Sequence, residues 1–282
     1  MSCLPDTTHE NECRTRRLTV AAALAVLLNC THVWAQVPEY DRVDPATPAP
    51  SNRLMLDIES YVTAPLRWDG KDWAYFGGAL AVVAASHHYD SDVRTHFNKG
   101  SSTPLGSTNS KDLQDALPAA AAFAGTWLYA NLIDDSDGRR EAWAMLEAAG
   151  LSSTTAFVLK FAAGRKRPDE TTDPNRWGAS GASFPSVHAA AAAAIGTVLA
   201  ESGNDEYRWL RRVLGYGLAG ATGYERLKHN AHWLSDTVAG AALGAATAHF
   251  VMNRRYHTNA DSALMLLPVE GGVMLSYSAT LR

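Results

Sequence analysis

The stretch GASFPSVHAAAAAAIGTVLA, residues 181–200, decides the fold. Alanine is the strongest helix former, so the run after His188 predicts a helix. Ser186 is its natural N-cap, Pro185 stands in front of it, and His188 falls in the first turn. A helix this apolar on every side belongs at the centre of a bundle, where alanine lets its neighbours come close. Its start offers unpaired backbone N–H groups and a partial positive charge, which is a seat for an anion.

Outward from that stretch, the chain predicts helices from Trp73 to His88, Lys111 to Leu132 and Arg139 to Ala163. Residues 205–253 predict two more, with loops at 101–110 and 168–184. The fold class expected is all-α, a bundle of about six helices. A short C-terminal β-hairpin is expected around Glu270-Gly271-Gly272, because two short apolar runs flank those residues. The uncharged stretches after His188 and between Arg212 and Glu225 fall short of the ~20 residues that a bilayer span needs.

Four segments organise the 282 residues. Residues 1–35 read as a secretory signal peptide, with Arg14, Arg16 and Arg17 before the apolar core 18–29. Val33 and Ala35 suit cleavage after Ala35, so a periplasmic or secreted protein is expected. A membrane anchor and lipidation at Cys30 are the weaker readings of the same segment. Cys3, Cys13 and Cys30 all lie in it, so the mature chain relies on its core rather than on disulfides. Residues 36–70 combine a proline-rich linker with a short amphipathic helix whose face carries Leu54, Met55, Ile58, Tyr61 and Val62. Residues 71–256 form the helical, catalytic domain, and 257–282 the tail. A net charge of -4 gives no general attraction to nucleic acid or acidic membranes.

Three segments converge on one chemistry. In KFAAGRKRP (160–168), Lys160 and Arg167 lie two helical turns apart and can face one side. PSVH (185–188) supplies the helix start. In ERLKHNAHWLSD (225–236), His232 and Asp236 are four apart, as on one helical face, and Arg226 lies six residues upstream. A carboxylate there can hold one imidazole nitrogen and leave the other with its lone pair. Two arginines and a lysine offer cations to phosphate oxygens. Together these parts suit phosphoryl transfer through a histidine nucleophile without a metal.

K-x6-RP, PS-x-H and R-x5-H-x3-D, in that order, resemble the signature of the type 2 phosphatidic acid phosphatase and vanadium haloperoxidase superfamily. The resemblance rests on residues 160–236 and implies an all-α bundle whose paired central helices present the site at one end. It implies that His232 attacks phosphorus, that Asp236 orients it, and that His188 protonates the leaving group and then activates water. It implies that Lys160, Arg167, Ser186, Arg226 and the backbone N–H near Val187 bind the phosphate oxygens, with no metal and no cofactor. The family often has glycine at the position of Val187 and serine at that of Glu225.

The function expected is a metal-independent phosphomonoesterase, of acid-phosphatase or lipid-phosphatase type. The partner is a phosphate-ester substrate. The alanine-rich helices and the 53–66 segment leave room for a lipid phosphate and for peripheral membrane contact, and no nucleic-acid partner is expected. A vanadate-dependent haloperoxidase and a non-catalytic anion-binding module are the alternatives. His229 reads as a rim residue rather than a metal ligand, His87 and His88 point to different helical faces, and Asp134, Asp135 and Asp137 read as a solvated turn.

Overall fold

The computed structural model describes residues 58–98, 108–203, 207–256, 262–269 and 272–279. A helical stretch at 58–63 runs into a 3-10 turn, Ala64–Arg67. Seven longer helices follow: α1 (Gly70–His87), α2 (Asp90–Asn98), α3 (Thr108–Leu132), α4 (Ser136–Ala163), α5 (Val187–Glu201), α6 (Arg208–Lys228) and α7 (Leu234–Tyr256). The body is thus all-helical, as expected, and exceeds six helices. The short α2 is the added helix, 205–253 divides into two, and the 58–63 stretch lies within the short amphipathic helix expected in 36–70. The tail hairpin is not supported as part of the fold. Ser262–Val269 and Gly272–Ala279 run antiparallel to each other, but among the described residues neither packs substantially on a helix. The expected signal peptide, linker and residues Leu54 and Met55 lie outside the described residues.

Helix α5 is the axis. It packs on α4, α6 and α7 and also touches α3. Ala190, Ala192, Ala194, Val198 and Ala200 on it have no exposed surface, and Met145, Ala148, Val251 and Met252 close around them. Glycines let the backbones come together. A Cβ on Gly240 or Gly244 of α7 would overlap the Ser186 or Ala190 carbonyl of α5, and Gly196 and Gly215 meet in the same way between α5 and α6. Small side chains thus hold the two helix starts, α5 and α7, side by side.

The 58–63 stretch docks through Tyr61. Its hydroxyl lies 2.9 Å from Thr247 Oγ1 and its ring meets Phe250 edge-on. Val62 is instead 70% exposed, so the amphipathic face is narrower than its sequence pattern suggested. No helix among the described residues is long and apolar enough to cross a membrane.

Candidate active site

Four helix ends meet at one end of the bundle. Helix α5 begins at the Ser186 N-cap, whose side chain accepts from the Ala189 N–H. Its backbone N–H donates to the Asp236 carbonyl in the first turn of α7, at 3.0 Å. Two helix N-termini, each carrying partial positive charge, therefore adjoin. Lys160 lies in the last turn of α4 and Arg226 in the last turn of α6, where basic side chains complement the dipole. Both side chains are nonetheless buried.

His232 and Asp236 do not stack on a helical face as their spacing suggested. His232 sits in the turn before α7, and Asp236 is in its first turn. Asp236 Oδ2 accepts from the Trp233 N–H at 2.9 Å, the backward half of a capping box, and this bends the chain so that the imidazole meets the carboxylate. His232 Nδ1 lies 3.7 Å from Asp236 Oδ2, too far for a hydrogen bond. Both residues are buried. Burial pushes the His232 pKa down most strongly, Asp236 pulls it back, and the charges of Lys160 and Arg226 lower it again, to about 4. The ring is therefore neutral at neutral pH. Burial would raise the Asp236 pKa, but His232, Arg165 and the Ser183 hydroxyl hold it below the usual carboxylate value.

The remaining expected residues are placed as follows. Val187 is the first residue of α5 with no left-handed backbone, so its side chain costs the helix start nothing. His188, half-buried, faces a cavity of about 260 Å³ among α3, α4 and α5, lined by Ala119, Ala120, Phe123, Leu146, Ala149 and Ile195. It is the one polar residue of that lining among the described residues. Arg167 is half-buried in the loop after α4. Its backbone N–H donates to Glu170 Oε2 and its charge acts on Asp169. Glu225 turns to Lys228 and His229, at 3.3 and 3.6 Å. Asp135 caps α4, and Asp134 pairs with Arg139. Among the described residues no group of three or more histidine, cysteine and acidic side chains is placed to hold a metal ion.

Sequence reasoning missed Arg165. It lies inside the quoted KFAAGRKRP, just after Gly164 caps α4 in the left-handed conformation (φ 54°). That glycine is the signal that could have found it, since a C-cap turn redirects the next residue. Arg165 turns inward with no exposed side-chain surface. It donates to Asp236 Oδ1 at 2.5 Å and to Asp90 Oδ2 at 2.7 Å. Ser183 Oγ donates to Asp236 Oδ2 at 2.5 Å. Asp90, at the joint of α1 and α2, carries no comparable sequence signal.

Residues 141–260 match the model of the PAP2 superfamily. Over 112 residues the chain is 34% identical to a lipid A 1-phosphatase of Porphyromonas gingivalis. That similarity covers 38% of this chain and 23% of the relative's length. No solved structure matches.

Proposed function

From the match of residues 141–260 to the PAP2 superfamily, we propose that this chain is a phosphoric monoester hydrolase working through a phosphohistidine on His232. One observation carries the reading: a buried histidine, neutral by environment, faces a carboxylate on its Nδ1 side while two buried cations bear on it. With the Nδ1 proton directed at Asp236, the Nε2 lone pair is left to attack. Nε2 bonds to phosphorus as the P–O ester bond breaks, and His188 gives the departing alkoxide its proton. His188 then takes a proton from water, whose oxygen attacks phosphorus and releases phosphate from Nε2. Lys160, Arg226, Arg167, Ser186 and the N–H groups at the start of α5, from Val187 on, hold the phosphoryl oxygens as charge develops.

The substrate class favoured is a lipid phosphate. An apolar hollow beside His188 suits the hydrocarbon next to a leaving oxygen better than it suits a sugar. Exposed Leu128 and Leu132 on α3, Phe157 and Phe161 on α4, and Trp209 and Leu214 on α6 suit contact with a lipid surface. The relative's name, a lipid A 1-phosphatase, points the same way. The leader of residues 1–35 would deliver the enzyme to the periplasm. The test is mixing with 32P-labelled phosphate ester, quenching in alkali and mapping the label. Label on the peptide carrying His232 is expected; turnover with label on no histidine would overturn the mechanism.

A further inference from the structure

We propose that Arg165 and Asp90 are positioning residues for the reaction: the guanidinium, anchored on Asp90, fixes the carboxylate of Asp236 and through it the orientation of His232. The inference rests on the phosphatase reading above. It comes from a side-chain cluster that the expected motifs do not include.

Arg165 uses its whole fork. Nε and Nη2 donate to the Pro174 carbonyl at 3.0 and 2.8 Å. Nη1 donates to Ser235 Oγ at 2.8 Å and to Asp236 Oδ1 at 2.5 Å, while Nη2 also reaches Asp90 Oδ2 at 2.7 Å. The Trp177 and Trp233 rings stand 4.5 and 5.4 Å from the guanidinium carbon. Asp90 is itself held. Its Oδ1 accepts from the Ser235 N–H at 2.8 Å, its Oδ2 accepts from the Ser235 hydroxyl at 2.7 Å, and His87 Nδ1 lies 2.8 Å from Oδ2. Four separate pieces of chain are thereby tied to one carboxylate: the α1–α2 joint, the loop after α4, the approach to α5 and the start of α7.

The division of labour at Asp236 follows. Arg165 occupies Oδ1. Oδ2 takes the Ser183 hydroxyl and the Trp233 N–H and faces His232 Nδ1. A carboxylate pinned on both oxygens cannot rotate, so the imidazole has one direction to face. The guanidinium charge also offsets part of the carboxylate charge that His232 feels. The charged groups facing His232 are Asp236 from α7, Lys160 from α4 and Arg226 from α6. Those facing Arg165 are Asp236 and Asp90, with His87 beside it. Lysine keeps the charge but lacks the planar fork that bridges two carboxylates.

The experiment follows the His232 imidazole by NMR of histidine-labelled full chain, beside the pH dependence of kcat/KM on an aryl phosphate. In Arg165→Met the His232 midpoint should rise by roughly one unit, and the acid limb of kcat/KM should move with it. In Arg165→Lys the midpoint should stay near the wild-type value while kcat falls roughly 100-fold, the cost of a misplaced reacting group. Should Arg165→Met fail to fold, Asp90→Asn serves: kcat should fall about 10-fold with no upward move of the midpoint. A folded Arg165 variant with wild-type midpoint and kcat overturns the proposal, as does Asp90→Asn with undiminished kcat. If the wild-type chain turns over no phosphate ester, the phosphatase reading fails. The NMR midpoints still decide whether Arg165 controls His232.

Discussion

The two ends of the bundle solve the same problem differently. At the end away from the site, buried Glu201 accepts from Arg212 at 3.1 and 3.0 Å and from the Tyr216 hydroxyl at 2.6 Å. Buried Glu141 pairs with Arg211. Each carboxylate there has one arginine, and each arginine keeps part of its surface in water. At the site end the buried carboxylates are Asp90 and Asp236, and the buried cations are Lys160, Arg165 and Arg226. The far end is electrostatically closed and serves to join α4, α5 and α6. Among the described residues the site end gathers these three buried cations, two buried carboxylates and two adjoining helix starts.

The largest effect that could break this contrast is at His232, the proposed nucleophile. His232→Ala should lower turnover roughly 10⁴-fold or more while leaving the thermal unfolding transition cooperative, checked by phosphate release and by calorimetry. Next, Arg226→Met should lower kcat roughly 10²–10³-fold, because it removes a donor aimed at developing charge. Inhibition by vanadate should weaken in parallel.

The third prediction concerns pH and stability. The folded-state pKa of His232 is depressed from 6.5 to about 4, so the unfolded chain takes up its proton first as pH falls. This contribution to stability is intact above about pH 6.5 and is lost as pH drops toward 4. Urea unfolding should show a loss on the order of 2–3 kcal/mol between about pH 7 and about pH 4.5, absent in His232→Gln. The smallest effect belongs to the far end. Glu201→Gln should cost about 1–3 kcal/mol of stability by weakening a buried, charge-assisted set of hydrogen bonds. Its kcat/KM should match that of wild type. A large loss of activity there would erase the distinction between the two ends.

Much of the bundle was legible because its signals are local. The alanine run after Ser186, the cap itself and the apolar stretches ending near Leu132 and Ala163 report their own conformation. Ordered spacing likewise singled out Lys160, Arg226, His232 and Asp236, and Lys160, Arg226 and Asp236 lie on helices fixed by neighbours close in sequence. What escaped is set by tertiary contact. Arg165 and Asp90 are 75 residues apart and meet only once α1 and the loop after α4 are packed. The turn holding His232 depends on a side chain capping its own helix start, which a spacing of four residues reads as a helix face. Arg167 lies in a loop whose course helical periodicity does not encode, and its charge also acts on Asp169.

The most direct test is the structure of the full chain crystallised with vanadate, a trigonal mimic of the phosphoryl group in flight. Vanadium bonded to Nε2 of His232, with its oxygens in reach of Lys160, Arg226 and the first N–H groups of α5, is the expected result. Vanadate seated elsewhere, or density at this end of the bundle with the His232 ring turned away from it, would contradict the assignment of the site.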